Sequence, residues 1–176
     1  MQEMLIYGVS FDLVGKQPIV LLKTADGNKF LPIWIGHPEA AAILMKLQSQ
    51  SAPRPMTHDL LSDMLEQLDA QVVRITVTEL RENTFYAQIT VTKDGAEIDV
   101  DSRPSDAIAL AIRAEAPIFA ADRVIEESAI EFEGEEVDPD QLEAEVAKFK
   151  HFLEEVTPDQ FAVEDGEEEI ETEEDD

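Results

Sequence analysis

The chain has 176 residues, with 40 Asp and Glu against 13 Lys and Arg, a formal net charge of −27. Its hydrophobic content of 44% supplies a core for one ordinary domain and excludes wholesale disorder, and no apolar run is longer than that from Ala40 to Met45, far short of a membrane span. The absence of cysteine excludes disulfides, thiolate metal sites and a Cys nucleophile, and with no signal-peptide pattern at the start it predicts a cytoplasmic protein.

In chain order, Leu5, Tyr7, Val9 and Phe11 alternate as one face of a half-buried strand. Pro18 to Thr24 is a second strand, and an Asp26-Gly27 hairpin turn leads into a third, Lys29 to Ile35. A helix from Pro38 to Gln48 opens with proline in its first turn, and a second from Thr57 to Leu68 takes Thr57 as its N-cap. The pattern then recurs. Val73, Ile75 and Val77 alternate, Phe85, Ala87, Ile89 and Val91 share one face, and Asp94-Gly95 turns into a strand from Ala96 to Asp101. A helix from Pro104 to Ala114 and a shorter one from Ala121 to Glu127 follow. The Asp-Gly turns, the helix-opening prolines and the Ala52-Pro53 and Ala116-Pro117 pairs repeat in the same order at nearly one offset. Three strands and two helices, twice, predict an α+β domain over residues 1–132 rather than alternating βαβ units.

Residues 133–163 read as a helical extension. Asp138-Pro139 opens it, and Leu142, Val146, Phe149, Leu153 and Val156 form one apolar stripe that must dock on its own domain or on a second subunit; the latter predicts a homo-oligomer. Residues 164–176 hold 10 acids and no base, which predicts a disordered acidic tail. Charge is therefore uneven: residues 1–125 carry a net −6 and residues 126–176 a net −21. This excludes a high-affinity, charge-driven nucleic-acid binder but not an enzyme that acts on nucleic acid.

The richest polar stretch is Asp99-Val100-Asp101-Ser102-Arg103-Pro104-Ser105-Asp106. On a strand, Asp99 and Asp101 share a face, and Asp106 lies one turn into the next helix, so the three carboxylates are candidate ligands for a divalent cation, Mg²⁺ or Mn²⁺. Such a centre supports phosphodiester cleavage, with Arg103, Ser105 and Arg113 as phosphate contacts. The competing reading is an Arg–Asp capping network at a strand-to-helix corner. His37 and Arg103 each precede a helix-opening proline, where free N–H groups favour an anion. His58, next to Thr57 and Asp59, is a candidate general base or metal ligand. Trp34 reads as a packing residue. No motif for an organic cofactor is present.

The segments FLPIWIGHPEAAAI, RPMTHDLL and DSRPSDAIALAIRAEAPIF, in that order, resemble the bifunctional nuclease (BFN-type) domain family over about residues 3–128. The resemblance implies a duplicated three-strand, two-helix unit around a barrel-like sheet with flanking helices, and nuclease activity on DNA and RNA. The polar positions matching it are Glu39, His58, Asp59, Asp101, Ser102, Arg103, Ser105, Asp106 and Arg113. The candidate catalytic residues are thus His58, Asp59, Asp101 and Asp106; the candidate phosphate contacts are Arg103, Ser105, Arg113 and His37; the candidate metal ligands are Asp99, Asp101 and Asp106. Nucleic acid is expected as a substrate rather than a tight ligand, with no membrane partner. Two other readings compete: a non-catalytic interaction protein, and a binder of phosphorylated small molecules at the two helix starts.

Overall fold

The computed structural model describes residues 1–12, 16–25, 27 and 29–131. The turn at Asp26-Gly27, the helical extension at 133–163 and the acidic tail at 164–176 lie wholly or partly outside the described residues. Eight strands and four helices follow one another as β1 (Gln2–Asp12), β2 (Gln17–Thr24), β3 (Lys29–Trp34), α1 (His37–Leu47), α2 (Thr57–Gln67), β4 (Gln71–Arg81), β5 (Thr84–Lys93), β6 (Ala96–Ser102), α3 (Pro104–Ala114), β7 (Ile118–Ala120), α4 (Asp122–Ser128) and β8 (Ile130–Glu131). The class is α+β, as the segregated strand and helix patterns require.

All eight strands form one sheet in the order β6-β5-β4-β7-β1-β2-β3-β8. β1 to β3 and β4 to β6 are antiparallel meanders, and β7 joins them, parallel to β4 and antiparallel to β1. The hydrogen-bonded order is linear and ends on β6 and β8, so the described sheet is open, not the barrel-like sheet expected. It is nevertheless curled: the end of β3 and the β4–β5 turn line the same cleft, and α4 touches both β3 and β4. Short β7 escaped the sequence pattern because three residues cannot display a period of two.

Two details of the first strand and helices depart from expectation. The register of β1 slips between Ile6 and Gly8, a bulge at Tyr7. One extra residue reverses the inward and outward parity, so Met4 and Val9 are both buried while Leu5 is 53% exposed and shares no face with Val9. Helix α2 is capped at Met56, not Thr57: the Met56 N–H donates to Asp59 Oδ2 at 3.0 Å.

The Asp94-Gly95 turn forms as the dipeptide predicts, with both residues at positive φ between β5 and β6. The core lies between the sheet and the helices. Val20, Leu22, Leu31, Ile33, Ile75 and Val77 project from the strands onto Ile43 of α1, Ile108 and Leu110 of α3, and Val124 of α4. Helix α3 is the most central, with seven buried residues between Pro104 and Ala111 and packing against α1, α2, β4 and β5. Among the described residues no helix is long and apolar enough to cross a membrane.

Candidate functional site

Three helix starts meet at α3. Pro104 at the first position has a fixed φ and no N–H to leave unsatisfied, so β6 passes directly into α3 with Arg103 as N-cap. Helix α1 starts in the same manner, with Gly36 as N-cap and Pro38 in the first turn, so His37 is the first residue of α1 rather than a linker residue. The first turn of α2 then brings His58 against α3.

Asp106, in the first turn of α3, is the centre of the cluster. One oxygen, Oδ1, lies 2.9 Å from His58 Nε2, and the other, Oδ2, accepts from Arg103 Nε at 2.7 Å. Arg103 in turn donates from Nη2 to Glu39 Oε1 of α1 at 2.8 Å. Burial works to raise the Asp106 pKa, but the bonds from Arg103 and His58 together outweigh it and hold the carboxyl below its usual range. The Arg103 guanidinium is held above its ordinary value, chiefly by its hydrogen bond to Asp106. An ionised carboxylate only accepts, so in this contact the donor is Nε2 of His58. The His58 side chain is only 10% exposed, whereas Arg103 is 66% exposed. The sequence read this corner as either a catalytic centre or an Arg–Asp capping network; the Arg103–Asp106 pair is present, with a histidine added to it and no side-chain cap on the helix N–H groups.

The three carboxylates proposed as metal ligands do not converge. Among the described residues no three His, Asp or Glu side chains are grouped to hold a metal ion. Asp99 instead accepts from Thr90 Oγ1 across the β5–β6 ladder at 2.6 Å, and Asp101 is exposed on the same edge strand. The reason is geometric: β6 is a sheet edge, and its outward residues do not follow the chain as it turns into α3.

Arg113 also differs from expectation. Its side chain is 7% exposed, and it donates to Asp59 Oδ1, to Ala109 O at 2.8 Å and to Ala42 O at 3.2 Å. It ties α1, α2 and α3 together and does not present its guanidinium to a phosphate. Asp59 is held below its usual pKa first by the Met56 N–H and then by Arg113; its place is at the α2 start, beside Arg113 rather than Asp106. His37 rests its ring against Phe11, with centroids 5.8 Å apart. Ser102 donates to the Arg103 carbonyl at 3.0 Å, and buried Ser105 lines a cleft with Arg103.

That cleft, of about 350 Å³, is the feature sequence reasoning missed. Trp34 on its wall is 52% exposed and is not the packing residue expected. The signal was present: Leu31 and Ile33 alternate inward, which puts Trp34 on the opposite face of β3.

Comparison with known proteins identifies the family. Residues 20–133 match the bifunctional nuclease domain. The chain belongs to the bifunctional nuclease domain family. An uncharacterized protein of Mycobacterium tuberculosis is 38% identical over 164 residues, which cover 92% of this chain and 98% of that protein. Bifunctional nuclease 1 of Oryza sativa subsp. indica is 30% identical over 109 residues, and bifunctional nuclease 1 of Arabidopsis thaliana is 28% identical over 105 residues. These cover 60% and 57% of this chain, but only 33% and 32% of the plant proteins.

Proposed function

We propose that this chain is a cytoplasmic nuclease that hydrolyses phosphodiester bonds of DNA, RNA or both. The observation that carries the proposal is the His58–Asp106 pair, held beside exposed Arg103 in a domain of the bifunctional nuclease family. In this reading Asp106 orients the imidazole and fixes its proton on Nε2. His58 accepts a proton from the attacking water at Nδ1 as the water oxygen bonds to phosphorus and the P–O bond to the leaving alcohol breaks; the leaving oxygen takes its proton from solvent, and Arg103 holds the phosphate. Ser105, at the start of α3 in the same cleft, is the second phosphate contact. Glu39 is a second carboxylate on Arg103 and restrains it.

Residues Asp99, Asp101 and Asp106 do not fit a shared divalent cation, and no step here passes through one. The dependence on Mg²⁺ or Mn²⁺ is therefore a measured variable. The test is cleavage of single-stranded DNA and RNA by purified protein, with and without EDTA, compared with Asp106→Ala. Loss of cleavage in that variant supports the site; full activity in Asp106→Ala, or activity that separates from the protein on further purification, overturns it.

A second reading, a non-catalytic interaction protein, is favoured by one observation. Leu60 and Met64 of α2 and Leu68 at its C-cap, spaced at four residues, are all exposed, with Leu61 beside them. Such a row favours self-association or a partner. A homo-oligomer is proposed with either reading, and the two meanders are proposed to be copies of one duplicated unit. Sedimentation of wild type against Leu60→Lys decides whether this row holds subunits together.

A further inference from the structure

The cleft beside Arg103 has a composition that the hydrolytic site does not require. Trp34 stands at the end of β3 with half its surface in solvent, although burying so large an apolar side chain is favourable. Ile33, Ile35 and Phe85 give the cleft an apolar wall. Two amide side chains stand at its margin, Gln17 from the start of β2 and Asn83 from the β4–β5 turn. Glu82 and Asn83 both have positive φ, so the turn is of the tight two-residue kind that fixes where Asn83 sits. Arg103 closes the other side; among the described residues its Nε donates to Asp106 and its Nη2 to Glu39, and a guanidinium has five N–H groups. At about 350 Å³ the cleft falls within the range of small-ligand sites, roughly 300–1,000 Å³.

We propose that Trp34 is the stacking platform for one unpaired nucleobase of the substrate, with the adjacent phosphate on Arg103. The proposal rests on the nuclease reading and adds to it a substrate class, single-stranded nucleic acid. An indole face accepts any base, the amides of Gln17 and Asn83 meet the polar edge of that base, and the guanidinium meets the phosphate. A base inside a duplex has both faces covered by its neighbours and offers none to Trp34. The body of the protein, at net −6 over residues 1–125, also carries no excess of positive charge to attract duplex backbone. Stacking therefore supplies the contact that charge does not.

Trp34 is the sole tryptophan of the chain, so its fluorescence reports on the cleft directly. The full chain is titrated with a short single-stranded DNA carrying hydrolysis-resistant phosphorothioate linkages, with the same strand annealed to its complement, and with inorganic phosphate. Saturable quenching by the single strand, and none by the duplex or by phosphate, is expected. A stacked base contributes about 1–3 kcal/mol, so Trp34→Ala should weaken single-strand binding roughly 5- to 140-fold, measured by anisotropy of a labelled strand, while Trp34→Phe keeps most of it. Circular dichroism confirms that both variants fold. Unchanged emission at saturating single strand, or equal affinity in Trp34→Ala, overturns the platform. If Trp34→Ala binds and cleaves as wild type does, the platform fails and the nuclease reading stands. If unmodified strand quenches Trp34 but is never cut, the platform stands and the nuclease reading fails.

Discussion

His58 Nε2 stands 2.9 Å from Asp106 Oδ1, joining the first turns of α2 and α3 across 48 residues of sequence. The pairing makes the imidazole a positioned group, with Nε2 committed to the carboxylate. If His58 moves the proton, its loss lowers the rate while leaving the stacking cleft in place. His58→Ala is expected to reduce single-turnover cleavage by roughly 10²- to 10⁴-fold, the usual range for a general acid–base group. Affinity for an uncleavable single strand should change by no more than a few fold. A rate within a few fold of wild type would return His58 to a structural role.

The same carboxylate makes stability depend on acid. The pKa of Asp106 in the folded chain lies below the ordinary aspartate value of 3.8 because Arg103 and His58 favour the charged form against the opposing effect of burial. A depressed folded pKa gives stability that is fully present above the unfolded value. It is lost as pH falls through 3.8 toward the folded value. Urea unfolding of wild type should therefore show a steep loss between about pH 4 and the folded pKa. Asp106→Asn should be less stable at neutral pH and should flatten that limb. A parallel pH profile in the two proteins would show that Asp106 is not the group responsible.

Much of this arrangement was legible in the sequence, and the remainder was hidden for identifiable reasons. The helices starting at Pro38 and Pro104 and the Asp94-Gly95 turn follow from local chemistry, which acts within a few residues. Leu5 was misplaced because a bulge changes parity without leaving a mark in composition. The carboxylate trio was misjudged because strand alternation says which face Asp99 and Asp101 share but not how β6 turns into α3. Arg113 resembled a phosphate ligand because its partners, Asp59 and the carbonyl of Ala42, come from two other helices. The His58–Asp106 contact is likewise tertiary. Both residues were picked out as candidates from their types and their helix-start positions, but their pairing depends on how α2 docks on α3.

Arg113 is expected to matter for stability and not for turnover. Its guanidinium is nearly buried, and its bonds to Asp59, Ala42 O and Ala109 O bind three helices into one unit. A hydrogen bond to a charged group contributes ~1.5–3 kcal/mol, and Asp59 is exposed enough to regain water when its partner is lost. Arg113→Met should therefore cost about 2–3 kcal/mol in urea unfolding. At a temperature where the variant remains folded, its single-strand affinity should match that of wild type. A selective loss of affinity with unchanged stability would reinstate Arg113 as a phosphate contact.

Gly36 provides a test of how Arg103 is restrained. Its φ of −74° is open to any residue, so backbone freedom does not explain the glycine. Space does: a Cβ there would lie 2.2 Å from Glu39 Oε2. Gly36→Ala should therefore displace the Glu39 carboxylate, the far end of a flexible side chain, and break its bond to Arg103. The stability cost should be small, within about 1 kcal/mol, because Arg103 is mostly exposed and such pairs are weak. The effect on substrate should be larger and favourable, since removing one of two carboxylates from Arg103 leaves more of its charge for a phosphate. Glu39→Gln should act in the same direction. Because both changes act on one contact, the double variant should bind an uncleavable single strand no more tightly than the stronger single variant. Additive gains in that double-mutant cycle would mean that Gly36 acts on the cleft by a route other than Glu39.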